Sequence, residues 1–204
     1  MRALKKLNRG VVITIIVVLC VSIYLIVLDS TQNTQKSAIQ KVVESYVKTY
    51  VGYNMLPKDY RVENSNISKT ELDSYISKME SDIKSYFTEN DSAYKFMTNN
   101  LKSDLESQKS DTTVVYSYEK AISSYTDFSF DKSIVTVTFE TNSKYDGPDK
   151  RDPTAGRLKL DAVTTDTVVL KKVKDDWKVV YSNINRPSQS NSLGGGIKIR
   201  HMIG

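Results

Sequence analysis

The chain has 204 residues, one cysteine, one histidine, a formal net charge of +5 and a sequence pI near 9.0. Residues 1–28 carry four of the basic residues and residues 186–204 three, which leaves 22 basic against 24 acidic residues from Asp29 to Asn185. A near-neutral central part removes the electrostatic case for nucleic-acid binding, while one histidine and one cysteine exclude a multi-histidine metal site, a cysteine zinc cage and an intrachain disulfide.

The first element is the uncharged run Gly10–Leu28, GVVITIIVVLCVSIYLIVL. At ~1.5 Å rise per residue its nineteen residues span roughly 28 Å, close to the ~30 Å hydrocarbon core of a bilayer, and predict a transmembrane helix. Arg2, Lys5, Lys6 and Arg9 precede it and Asp29 follows, so the positive-inside rule places residues 1–9 in the cytoplasm and everything after Leu28 outside. Val27, Leu28 and Asp29 make a poor signal-peptidase site, which favours an uncleaved anchor. Cys20 follows Leu19 in mid-helix, without the small residues that precede a lipoprotein cysteine. A basic leader ending at Gly10 resembles a prepilin, but the glutamate expected five residues into a mature pilin helix is here Ile15.

Residues 29–185 are expected to form one extracytoplasmic domain and 186–204 a flexible tail. Ile39, Val42, Val43, Tyr46, Val47, Tyr50 and Val51 follow the spacing of an amphipathic helix ending near Gly52, either continuous with the first helix or hinged at Gln32 and Asn33. Met55–Ser65, with Pro57, reads as a loop. Ser68-Lys69-Thr70-Glu71 is a capping box flanked by Ile67 and Leu72 as a hydrophobic staple. The helix it opens buries Leu72, Tyr75, Ile76, Met79, Ile83, Tyr86 and Phe87. Asn90 and Asp91 offer a further cap, before a stripe of Ala93, Phe96, Met97, Leu101 and Leu105.

Past Asp111 the period changes to that of strands: Thr113–Tyr118, Ser124–Phe130, Ile134–Thr141, Leu158–Val173 and Trp177–Ile184, with Asp146–Gly156 as a loop. Helices first and antiparallel strands last give an α+β architecture. This order, closing on Asp175-Asp176-Trp177-Lys178-Val179-Val180, resembles the nuclear transport factor 2-like cone, in which helices pack on a curved antiparallel sheet. The resemblance makes Trp177 a packing residue.

Reactive constellations are sparse. There is no GxGxxG or GxxxxGK[ST], and His201 lies in the tail. The carboxylate pairs Asp175/Asp176 and Asp149/Asp152 fall in predicted turns, where acids are ordinarily solvated. Some cone-shaped relatives are isomerases or dehydratases, for which Asp127, Tyr116 or Tyr118 are the residues to inspect. The expectation is no catalytic, cofactor-binding or metal site. The absence of cysteine beyond the helix, with many Lys, Asn, Ser and Tyr, resembles Gram-positive surface proteins.

A basic end, one membrane helix and an outer cone domain resemble the VirB-eight-like bitopic subunit of type IV secretion and conjugation channels, a non-catalytic scaffold. Its Gram-negative members carry an Asn-Pro-x-Gly turn, of which Asp152-Pro153-Thr154-Ala155-Gly156 is a loose echo. The partners implied are the membrane, further copies of the chain and other channel subunits, with no nucleic acid bound directly. The alternative is a cell-envelope module of the same fold in sporulation, wall work or ligand binding.

Overall fold

Strand alternation and helical stripes sort this chain into two layers. The structure is a computed structural model that describes residues 9–61, 69–88, 91–108, 113–148, 156–185 and 198–199; within the first helix, the side chains of residues 9–13, 15 and 24–32 are outside the described residues. The chain divides into two compact units, Met1–Lys41 and Val42–Gly204.

Helix α1 (Arg9–Gly52) runs without a break through Gln32 and Asn33 and ends where the glycine was expected to end it. No helix among the described residues is long and apolar enough to cross a membrane. The span expected at Gly10–Leu28 includes residues 10–13, 15 and 24–28, whose side chains lie outside the described residues. Those described, Thr14 and Ile16–Ile23, are all exposed.

In the second unit, the end of α1 buries Val43, Tyr46, Val47, Tyr50 and Val51, the stripe its spacing predicts. A 3-10 turn at Lys58–Tyr60 follows within the expected loop. Helix α2 (Lys69–Lys84) begins directly after Ser68, although the capping residue itself lies outside the described residues. Leu72, Ile76, Met79, Ile83 and Phe87 are buried as expected. Helix α3 (Ser92–Ser107) is capped by Asp91, whose carboxylate accepts the Ala93 N–H at 2.8 Å. Its buried stripe is Met97, Leu101 and Leu105. Phe96, expected in that stripe, sits about 100° around the helix from Met97 and is 67% exposed.

The sheet is antiparallel in the order β1 (Ser117–Asp131), β2 (Ile134–Pro148), β3 (Arg157–Val173), β4 (Asp176–Asn183), with β5 (Lys198–Ile199) also on β3. Two sequence expectations are corrected. The strand expected at Ser124–Phe130 begins instead at Ser117, so that β1 takes in residues 119–123 and the last two residues of the run Thr113–Tyr118, whose first four precede it; register shifts at Ile122/Ser124 and Tyr125/Asp127 break simple alternation without ending the ladder. The second strand does not stop at Thr141, nor does the loop begin at Asp146. β2 pairs with β3 as far as Pro148, which ends the strand. Two residues of the expected tail, Lys198 and Ile199, form β5, and the rest of it lies outside the described residues.

Helices on an antiparallel sheet make this an α+β fold, and the sheet face they cover has two halves. One is apolar, built from Val135, Val137 and Phe139 of β2, Val168 and Leu170 of β3, and Trp177 and Val179 of β4, all buried. The other presents Thr141 and Ser143 of β2 with Thr164 and Asp166 of β3, equally buried. Buried Gln108, at the end of α3, ties the neighbouring loop down by donating to the Asn54 carbonyl at 3.0 Å and accepting from the Leu56 N–H at 3.3 Å.

At the far end of β2, Gly147 meets a close approach. A Cβ there would lie 2.7 Å from the Tyr145 hydroxyl and 3.2 Å from the Val115 Cα. The buried Tyr145 ring is held by its hydrogen bond to the Pro148 carbonyl at 2.9 Å, so it cannot swing clear. Gly147→Ala is expected to cost roughly 1–3 kcal/mol by overpacking, read as a lower denaturation midpoint. Nearby, the Arg157 guanidinium grips the Asp146 carboxylate through two N–H groups, one at 2.7 Å, and stacks 4.0 Å above the Tyr116 ring. Those bonds hold the Asp146 carboxyl below its ordinary value. The stability they add is therefore present above ~pH 4 and lost as pH falls through the lower folded value. Arg157 is half exposed, so Asp146→Asn is expected to remove less than about 1 kcal/mol above ~pH 4, with the difference from the unsubstituted chain fading on the acid limb of a stability–pH curve as Asp146 is itself protonated.

Candidate functional site

The polar half of the covered sheet face holds the densest chemistry in the described chain. Lys120 of β1 points inward beside Tyr118, and its ammonium lies 2.7 Å from Asp166 Oδ2, with both side chains fully buried. Lys120 also donates to Thr164 Oγ1 at 2.8 Å and to the Asn185 carbonyl at 2.7 Å, so its three protons meet three acceptors. Asp166 is matched as fully. Its Oδ2 accepts from the Thr141 hydroxyl at 2.7 Å and its Oδ1 from the Asn185 backbone N–H at 2.8 Å. With the Thr141 proton given to Asp166, the 2.9 Å contact between Thr141 and Thr164 runs from the Thr164 hydroxyl to the Thr141 oxygen.

Register explains the convergence. Thr141 pairs with Thr164, and Asp166 stands two residues further along β3 on the same face; Lys120 pairs with Ser143, one step down the face from Thr141. Asn185, just past β4, closes the group, with its amide donating to the Thr165 carbonyl at 2.6 Å. Burial drives the Lys120 pKa down and the Asp166 carboxylate draws it back up; burial prevails. A cleft of about 380 Å³ lined by Glu44, Val47, Lys48 and Lys120 adjoins the pair, but the ammonium itself faces its three acceptors.

The residues flagged from sequence scatter. Asp127 is exposed on β1, outside the covered face. Tyr118 is buried against Tyr145, ring centroids 6.1 Å apart, and Tyr116 lies under Arg157. Asp175, in the β3–β4 turn, and Asp176, at the start of β4, are both exposed, while Asp149, Asp152 and His201 lie outside the described residues. Trp177 is buried. No group of three or more His, Cys, Asp or Glu among the described residues is placed to hold a metal ion.

Tyrosine chemistry also runs one way. Tyr46, Tyr53, Tyr75, Tyr94 and Tyr125 all have raised pKa values, chiefly from burial, with Tyr75 pushed up to about 12. They remain protonated at neutral pH, and none is a ready phenolate base. Sequence reading overlooked Lys120, Thr141, Thr164 and Asp166. The available signal was a charge at an inward position of an alternating strand: Lys120 between Tyr118 and Ile122, and Asp166 between Thr164 and Val168.

What the arrangement does physically is fasten β1, β2, β3 and the exit of β4 to one another. Removing one partner strands a buried charge, so Asp166→Ala is expected to cost roughly 3–5 kcal/mol. Lys120→Met combined with Asp166→Leu is expected to cost clearly less than either charge-stranding single variant, since it removes both desolvation costs together. Denaturant titration of the full chain in detergent reads both, and a double variant at least as unstable as Asp166→Ala would show that the pair is more than a fastening. Compared with known proteins, the chain matches no family model and no curated sequence.

Proposed function

We propose that this chain is a membrane-anchored, extracytoplasmic, non-catalytic scaffold subunit of a type IV secretion or conjugation channel, with a nuclear transport factor 2-like cone as its outer domain. The observation that carries the anchor is the exposure of Ile16, Val17, Val18, Leu19, Val21 and Ile23, each more than half exposed. At 100° per residue these six side chains occupy every face of α1, and a helix apolar all round requires an apolar surrounding. A bilayer supplies it, with the basic residues before Gly10 setting the cytoplasmic side. The scaffold role is supported by the Lys120–Asp166 network, whose groups are engaged with one another and turned away from solvent. The partners proposed are other copies of the chain and membrane subunits of the channel.

Two experiments test this. Protease added to intact cells is expected to remove an epitope placed after Gly204 while sparing one at Met1; the reverse pattern inverts the topology. Deletion of the gene is expected to abolish DNA transfer without affecting growth. Normal transfer in the deletion strain would instead support the envelope-module alternative.

A further inference from the structure

β4 covers only part of β3. The β3–β4 ladder ends at the pair Thr167–Asn183, because the Asn185 N–H turns to the Asp166 carboxylate and its carbonyl to Lys120. Along residues 157–166, β3 is therefore paired with β2 on one side and, on the other, with β5 through Val163–Lys198 and Ala162–Ile199. An edge of this length is a template for another strand.

We propose that this edge is a strand-accepting slot whose occupant is the chain's own segment Ile197–Ile203, laid antiparallel along β3 from Thr164 to Leu158. The register of β5 generates the pairing. Continued in both directions, it sets Ile197 opposite Thr164, Arg200 opposite Asp161, His201 opposite Leu160 and Ile203 opposite Leu158. The chemistry matches at each step. On β3, Ala162 and Thr164 are buried and belong to the covered face, so the alternate residues Ile197, Ile199, His201 and Ile203 share one face with them. On the other face, the basic Arg200 stands across from the acidic Asp161, a favourable cross-strand pair. A one-residue slip would bring Lys198 and Arg200 to the buried face and lose both matches. The chain between Asn185 and Lys198 is twelve residues, reaching at most ~40 Å, while the strand gap to be bridged from Thr165 to Val163 is about 7 Å, so the segment returns to its own edge with length to spare. The slot thus makes the strand 197–203 an edge guard that keeps β3 from pairing with another chain. The inference is independent of the scaffold reading.

The test uses the full chain with Cys20→Ser, expressed alone, so that introduced cysteines are its only thiols. The pairs Ala162→Cys with Ile199→Cys and Leu160→Cys with His201→Cys are expected to oxidise within one chain, and the off-register pair Leu160→Cys with Arg200→Cys to stay reduced. Oxidation of the first pair without the second limits the strand to two residues and overturns the proposal, as does no oxidation at all. Disulfide-linked dimers as the main product make a second copy the occupant and overturn it equally. As a check without core substitutions, Ile199→Pro is expected to speed exchange of the outward-edge amides between Asp161 and Thr165 by roughly tenfold or more, since proline cannot complete the ladder. Unchanged exchange sinks the slot.

Discussion

The buried pair of Lys120 and Asp166 is the constraint around which the sheet is arranged. Taking an ammonium and a carboxylate out of water costs several kcal/mol per ion, and their attraction offsets that cost only where every remaining proton and lone pair is engaged. Thr141, Thr164 and Asn185 provide those engagements. A sheet in any other register would leave a buried charge open, so the network selects one alignment of three strands more sharply than apolar packing alone can.

The irregularities of the sheet follow from this. β1 must turn Lys120 inward near its start and bring aromatic side chains inward near its end, and two register shifts reconcile the demands. Between them, the Tyr125 ring meets Phe128 and Phe139 at centroid distances of 5.4 and 6.0 Å, and its hydroxyl donates to Glu44 on α1 at 3.2 Å. Asn185 belongs to the same logic. A residue that caps a buried carboxylate with its own N–H cannot also extend a β ladder, so the strand leaves the sheet there. Helix packing is anchored apart from the charges, through Tyr46 against Phe87 and Tyr86, and through the Tyr86 carbonyl, which accepts the Val179 N–H at 2.7 Å.

A charged cluster inside an α+β domain invites a catalytic reading, and the geometry here bears on it directly. A general acid or base must reach a reacting atom, yet each proton of Lys120 and each oxygen of Asp166 already has a partner within 2.8 Å. The outward chemistry lies elsewhere, in the exposed Phe96 and Tyr181, which rim a cleft of about 350 Å³ between α3 and β4. Surfaces of that kind suit contact with other chains, in keeping with the proposed scaffold role.

Much of the architecture was legible in the residues themselves. Helical stripes at Leu72–Phe87 and Val43–Val51 needed only their period, and Asp91 only its place before a helix, because these signals are local. Strand limits were less legible. Alternation fails at a bulge, so β1 read as two runs, and Asp146-Gly147-Pro148 resembles a loop until the partner strand beside it is known. The buried network was hidden for the same reason: Lys120 and Asp166 lie 46 positions apart, and each alone looks like an ordinary surface charge. The sequence by itself determined the apolar run at Gly10–Leu28, the near-neutral middle, the helices and the α+β order, all of which depend on neighbours a few residues away. Only the tertiary structure decided that two opposite charges share one dry site and that β5 returns to the β3 edge, because both depend on the register between distant strands.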